Sequence, residues 1–182
     1  MNAGKSTILL QAAHNYEERG MVPYLLTAEI DNRSGEGKIA SRIGIEKRAD
    51  TFNNRLNLYN LLKSKQKSSP IACVLIDEAQ FLTEEQVWQL ARAVDDLFLP
   101  VLCYGLRVDF QGNLFPGSSA LLGLADELKE IKTICHCGKK ATMVVRKSTN
   151  NKPIKDGSQI QIGGNDLNES LCRIHWRQLM ES

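Results

Sequence analysis

The chain has 182 residues, 42% of them hydrophobic and 24% charged, with 23 basic against 21 acidic side chains and a formal net charge of +2. That is enough length and apolar surface for one core with a small appendage, which excludes a mainly disordered chain. The near balance of charge gives no long-range pull toward nucleic acid or an anionic membrane, and no apolar run is long enough to span a bilayer.

The first seven residues, Met1 to Thr7, lack a charged segment followed by an apolar one, so no secretory signal is expected. Ile8, Leu9, Ala12, Ala13 and Tyr16 then recur at helical spacing, predicting a helix over Gly4–Arg19 that Gly20 stops. Val22 to Ala28 reads as a strand despite Pro23, and Asp31 to Gly37 holds too many turn formers for regular structure. A helix is expected over Asn53–Lys67. Ile71 to Ile76 is a continuous apolar run, as in a strand buried on both faces. Thr83 with Gln86 forms a capping box, and Val87, Leu90, Ala91, Val94 and Leu97 mark one face of the helix that follows. Pro100 to Gly105 is a further buried strand. Strands alternating with helices predict an α/β fold with a parallel sheet.

The composition changes near Thr133, where Cys, Gly, Lys and Asn begin to dominate. This divides the chain into a core over 1–132 and a smaller unit over 133–182. Within the second unit, Ala141–Lys147 and Gln159–Ile162 read as a hairpin with Asn150 and Asn151 near its tip.

Two motifs carry chemistry. Ala3-Gly4-Lys5-Ser6-Thr7 is the second half of a phosphate loop opening a helix. Backbone N–H groups there carry partial positive charge, Lys5 would reach terminal phosphates, and the Ser6 hydroxyl would ligate Mg²⁺. Asp77-Glu78-Ala79-Gln80 follows the buried run ending at Ile76, which places Asp77 where a phosphate-loop protein holds a Mg²⁺-directed carboxylate. Glu78 would accept a proton from an attacking hydroxyl or orient a water, so both phosphoryl transfer and hydrolysis stay open.

Of five cysteines, Cys73 and Cys103 lie in apolar runs and read as inert core thiols. Cys135, Cys137 and Cys172 cluster with His175 as a four-ligand structural zinc set, with His136 as the competing ligand. Three thiol ligands suit a reducing cytoplasm.

Together these segments resemble the type II thymidine kinases, cytosolic phosphate-loop enzymes with a zinc-binding lasso domain, and specifically their bacterial branch. The likeness runs through Met1–Thr7, Thr27–Arg33, Asp77–Phe81, Tyr104–Phe110, Gln161–Asn165 and Cys172–His175. It implies transfer of the ATP γ-phosphate to the 5′-hydroxyl of thymidine or deoxyuridine, with Glu78 as general base. It further implies that Met1, Asn2, Ala3, Gly4, Lys5, Ser6, Thr7, Asp77, Glu78, Ala79 and Gln80 hold ATP and Mg²⁺. Phe81 and Phe110, with Met1, would line the base pocket. Gln159, Ile160, Gln161, Ile162 and Gly163 would close over the base by backbone hydrogen bonds. Arg146 matches a basic position of the family or forms a salt bridge. A homo-oligomer, by analogy a tetramer, is implied, with no nucleic-acid or membrane partner.

The chain departs from the family in two places. The resemblance implies about ten further residues before Met1, carrying the first strand and the start of the phosphate loop, so an N-terminally truncated chain is the expectation. The family usually has Tyr where this chain has Asn168, so the nucleoside pocket lacks that aromatic hydroxyl. The competing readings are a truncated, inactive phosphate-loop and zinc module, and a different ATPase, because Asp-Glu-Ala-Gln also occurs in helicase-type motors.

Overall fold

The computed structural model describes residues 3–31, 33, 35, 37–160 and 168–181. Helix α1 (Lys5–Glu18) is followed by strand β1 (Pro23–Ala28), a short hairpin of β2 (Lys38–Ala40) and β3 (Glu46–Arg48), and strand β4 (Asp50–Phe52). Then come α2 (Leu58–Ser68), β5 (Cys73–Ile76), a 3₁₀ turn over Ala79–Phe81, α3 (Glu84–Leu97), β6 (Val101–Cys103) and α4 (Pro116–Leu124). The rest comprises β7 (Thr133–Ile134), β8 (Lys140–Ala141), β9 (Met143–Arg146), β10 (Asn168–Leu171) and α5 (Arg173–Glu181).

Four strands form one parallel sheet in the order β4-β1-β5-β6, an unbroken ladder with β4 and β6 at its edges. All four residues of β5 are buried, which is why its sequence is apolar without alternation. One face of the sheet packs a core of Leu26, Leu58, Leu62, Val74, Ile76, Val87 and Leu90, which brings in α2 and α3. The other packs Leu9, Leu10 and Ala13 of α1 against Leu25, Cys73 and Leu75. The fold is thus α/β with helices on both faces of a parallel sheet, as the alternation of elements predicts. The capping box at α3 is present in both directions, Thr83 Oγ1 accepting from Gln86 N–H and Gln86 Oε1 from Thr83 N–H.

Two expectations are corrected. The helix expected from Asn53 begins at Leu58, because Asp50–Phe52 joins the sheet beside β1 and Asn57 caps the helix by accepting from Asn60 N–H at 2.9 Å. In place of the hairpin expected between Ala141–Lys147 and Gln159–Ile162, β9 pairs antiparallel with β10, and among the described residues Gln159 and Ile160 join no strand; Gln161 and Ile162 lie outside the described residues. Ser158 and Gln159 instead lie beside the Arg146 side chain, which donates to both their carbonyls. Asn151, at φ 62°, sits in a local turn bracketed by an isolated bridge between Lys147 and Pro153. Helix α4 is an addition to the expected elements. Its Gly117-Ser118-Ser119 start resembles a loop, yet Gly117 lets the helix approach the 3₁₀ turn so closely that a Cβ there would lie 2.5 Å from the Leu82 carbonyl.

Candidate active site and metal centre

Functional side chains gather at the carboxyl edge of the parallel sheet, where open α/β sheets bind ligands. Gly4 ends the loop before α1 in the left-handed region (φ 79°, ψ 21°), and no side chain caps the helix. No acidic residue occupies the first turn, so the N-terminal N–H groups and their partial positive charge face the site unopposed. Ser6 Oγ donates to Asp77 Oδ2 at 2.7 Å, joining the two motifs across seventy-one positions of sequence.

Asp77 is 4% exposed. Burial, and then the neighbouring Glu78 charge, raise its pKa, while the Ser6 hydroxyl, the Glu78 backbone N–H and Lys5 partly offset that rise. A desolvated carboxylate beside a hydroxyl offers oxygen ligands of the kind that fit Mg²⁺, and the adjacent helix N-terminus suits the phosphates such a metal would accompany.

Glu78 has φ 53°, a strained conformation for a residue with a side chain. Its carboxylate is held from two sides. Gln80 Nε2 donates to Oε2 at 2.6 Å, and the Arg33 guanidinium, itself paired with Asp31, donates to Oε1 at 2.9 Å. Gln80 is buried and also accepts from Leu106 N–H at 3.0 Å, so the 3₁₀ turn is locked to the chain leaving β6. Gly105 is required there, because a Cβ would lie 2.9 Å from the Gln80 nitrogen.

A second set of residues surrounds Phe110. The Arg146 guanidinium stacks over the Phe110 ring at 4.1 Å from its centroid. Buried Asp109 accepts from the Gln111 and Asn113 N–H groups and, at 2.8 Å, from Gln159 Nε2, tying the 158–160 segment to the loop. Arg146 therefore holds a ring and two carbonyls; the salt bridge considered for it is not its main contact.

Both sets line one cleft of about 450 Å³. Of the residues singled out in the sequence, Ala3, Gly4, Lys5, Ser6, Thr7, Asp77, Glu78 and Gln80 open onto it. So do Phe81, Phe110, Gln159, Ile160 and Asn168. A neighbouring cavity of about 510 Å³ shares Gln80, Phe81, Phe115, Gln159 and Ile160. Ala79 is not on the cleft: its side chain is fully buried in the core, and only its backbone continues the turn. Met1, Asn2, Gln161, Ile162 and Gly163 lie outside the described residues. Arg33, Asp109 and Trp176 were not singled out in the sequence. Arg33 and Asp109 lie within the Thr27–Arg33 and Tyr104–Phe110 segments that carry the family likeness, which is the one signal that could point to them, and nothing local marks Trp176.

The metal-type residues converge. Cys135, Cys137, Cys172 and His175 place their donor atoms within 4.8 Å of one another. Cys135 Sγ is 3.3 Å from His175 Nδ1, and Cys172 Sγ is 3.5 Å from the same nitrogen. Burial would raise the Cys135 pKa, but the N–H groups of Cys137 and Cys172 and the His175 ring outweigh it and bring it down to about 6. Three thiols and one imidazole in this geometry fit structural zinc and leave no open position for a reactant. His136 stacks on the His175 ring at 4.3 Å and faces Glu169, outside the four.

These features define an α/β protein with a phosphate-loop-like helix start, a buried Asp77 followed by a part-exposed Glu78, and a Cys₃His cluster. The family model described as thymidine kinase matches residues 1–176. The chain is 62% identical over 178 residues to a thymidine kinase of Ruegeria pomeroyi, covering 98% of this chain and 90% of that protein. It is 57% identical over 182 residues to that of Rhizobium meliloti, covering 99% and 93%. Against that of Yersinia pseudotuberculosis the figures are 52% over 182 residues, covering 100% and 93%. The chain belongs to the thymidine kinase family, and it is a kinase.

Proposed function

We propose that this chain transfers the γ-phosphoryl group of ATP to the 5′-hydroxyl of thymidine or deoxyuridine. The observation that carries the reading is the shared cleft, in which phosphate-loop residues, Asp77 and Glu78 line the same space as Phe81 and Phe110. The relatives' name, thymidine kinase, supports the nucleoside as acceptor.

In this reading the helix α1 N-terminus and Lys5 bind the ATP phosphates, with Ala3, Gly4 and Thr7 shaping the loop. Ser6 and Asp77 would hold Mg²⁺, which supplies charge neutralisation at the phosphates. Phe81 and Phe110 flank the thymine ring, and Gln159 and Ile160 approach its edge. A base edge met by hydrogen-bonding groups is discriminated strongly, because a wrong base strands buried polar atoms. Glu78 accepts the 5′-hydroxyl proton as that oxygen bonds to the γ-phosphorus and the bond to the β–γ bridging oxygen breaks, releasing ADP. Arg33 and Gln80 occupy one acceptor site on each Glu78 oxygen, and each oxygen keeps a second for the incoming proton.

Cys135, Cys137, Cys172 and His175 would hold a structural Zn²⁺ in a unit over 133–182 set beside the core over 1–132. Thiolate ligation suits a cytoplasmic protein. The family resemblance supports a homotetramer.

The test is product analysis with ATP, Mg²⁺ and thymidine. The reading expects thymidine 5′-monophosphate in step with ADP. ADP released at the same rate without nucleoside would show hydrolysis instead and overturn it.

A further inference from the structure

Trp176 connects two regions that the proposed function treats separately. It lies one residue beyond His175 on α5, and its backbone N–H donates to the Cys172 carbonyl at 3.0 Å. Its ring packs in the small core that contains Cys135, Leu171 and Cys172. From there the indole reaches away from the cluster. Nε1–H donates to the Phe110 carbonyl at 3.0 Å and to the Val144 carbonyl at 3.1 Å. The far edge of the ring lies over the Gly112 backbone, where a Cβ would come within 3.3 Å of Cη2. Gly112 has φ +87°, so the turn after Phe110 is shaped to admit the ring.

Phe110 is therefore gripped twice. Trp176 holds its backbone, and Arg146, next in β9 but one to Val144, covers its ring. A part-buried indole N–H needs an acceptor, and these two carbonyls supply it.

We propose that Trp176 is a positioning residue that couples the Cys₃His cluster to the nucleoside end of the cleft, so that metal occupancy sets the placement of Phe110. The inference rests on the reading of Phe110 as a base-contacting residue. Cys172 immediately precedes α5 and His175 lies in its first turn, and a metal clamping them to Cys135 and Cys137 fixes the helix from which Trp176 projects. Release of the metal frees that turn, and the indole contact with the Phe110 carbonyl loosens with it. Nucleoside affinity then falls although no cluster ligand touches the nucleoside.

The test uses the whole chain in two forms. Trp176→Phe keeps an aromatic ring and removes the donor. Its thymidine KM is expected to rise about fivefold to tenfold, the worth of one hydrogen bond. Its kcat, its KM for ATP and its zinc content should stay within about twofold of the parent. The second form, Trp88→Phe, removes the other tryptophan, which is exposed on α3. Trp176 emission then reports alone, and chelation of the metal should shift it to longer wavelength.

An unchanged thymidine KM in folded, metal-loaded Trp176→Phe would overturn the proposal, as would emission indifferent to metal removal. If Trp176→Phe fails to fold, the emission measurement still decides. A parent chain that leaves thymidine unphosphorylated would refute the proposed function, whereas the emission response would separately decide the coupling.

Discussion

At φ 53°, Glu78 is held in a backbone region that costs a side-chain-bearing residue about 1 kcal/mol. The turn that imposes it also presents the carboxylate between Arg33 and Gln80, so the strain is localised at the group proposed to move a proton. Glu78→Gln is expected to lower kcat by about 10²- to 10⁴-fold while ATP affinity stays near that of the parent, measured by steady-state kinetics and nucleotide titration. Asp77 supports a prediction of opposite sign for stability. Its pKa is raised in the fold, so the folded state binds its proton more tightly than the unfolded chain does. Stability from this group is therefore present below its unfolded pKa and is lost as pH rises through the folded one, so that at neutral pH the buried carboxyl costs stability. Asp77→Asn should raise the melting temperature of the nucleotide-free chain at pH 7 while abolishing Mg²⁺-dependent turnover. A fall in melting temperature would show that the Ser6 bond to the charged form outweighs desolvation.

At the scale of elements, α4 lies so tightly on the 3₁₀ turn that Gly117 has no room for a methyl group: the Leu82, Ala79 and Gln80 carbonyls all stand within 3.0 Å of a Cβ. Gly117→Ala should destabilise the chain by about 1–3 kcal/mol in denaturant unfolding, by pushing the helix off the turn that carries Gln80. The elements that are legible in the sequence are those with one dominant signal. Buried β5 is a run of apolar residues, α3 has a capping box and an apolar stripe, and Cys135, Cys137, Cys172 and His175 show metal-type spacing. Elements set by long-range contacts were hidden. The β2–β3 hairpin pairs two three-residue strands, one of them wholly charged (Glu46–Arg48), and β10 finds β9 across an intervening segment in which Arg146 holds Ser158 and Gln159. The same holds for the site. Ser6, Asp77 and Glu78 stand in local motifs, whereas Arg33, Asp109 and Trp176 acquire their roles only from partners 45, 50 and 66 positions away.

Across the whole molecule, the parallel sheet places α1 and the turn after β5 at one edge, and the segment around Phe110 brings the C-terminal elements to the same cleft. Metal analysis of protein purified without chelator should find about one Zn per chain, and its removal should lower thermal stability, because binding free energy of this kind is folding free energy. A metal-free chain with unchanged melting would sink the structural role. The central claim is that one cleft carries a phosphoryl group from ATP to a nucleoside hydroxyl with Glu78 taking the proton. Its most direct measurement is the rate of thymidine 5′-monophosphate formation by the parent and by Glu78→Gln, side by side at saturating ATP and Mg²⁺. The account predicts nucleoside-dependent turnover in the parent and a loss of at least about 10²-fold in the variant. Comparable turnover in both would contradict it.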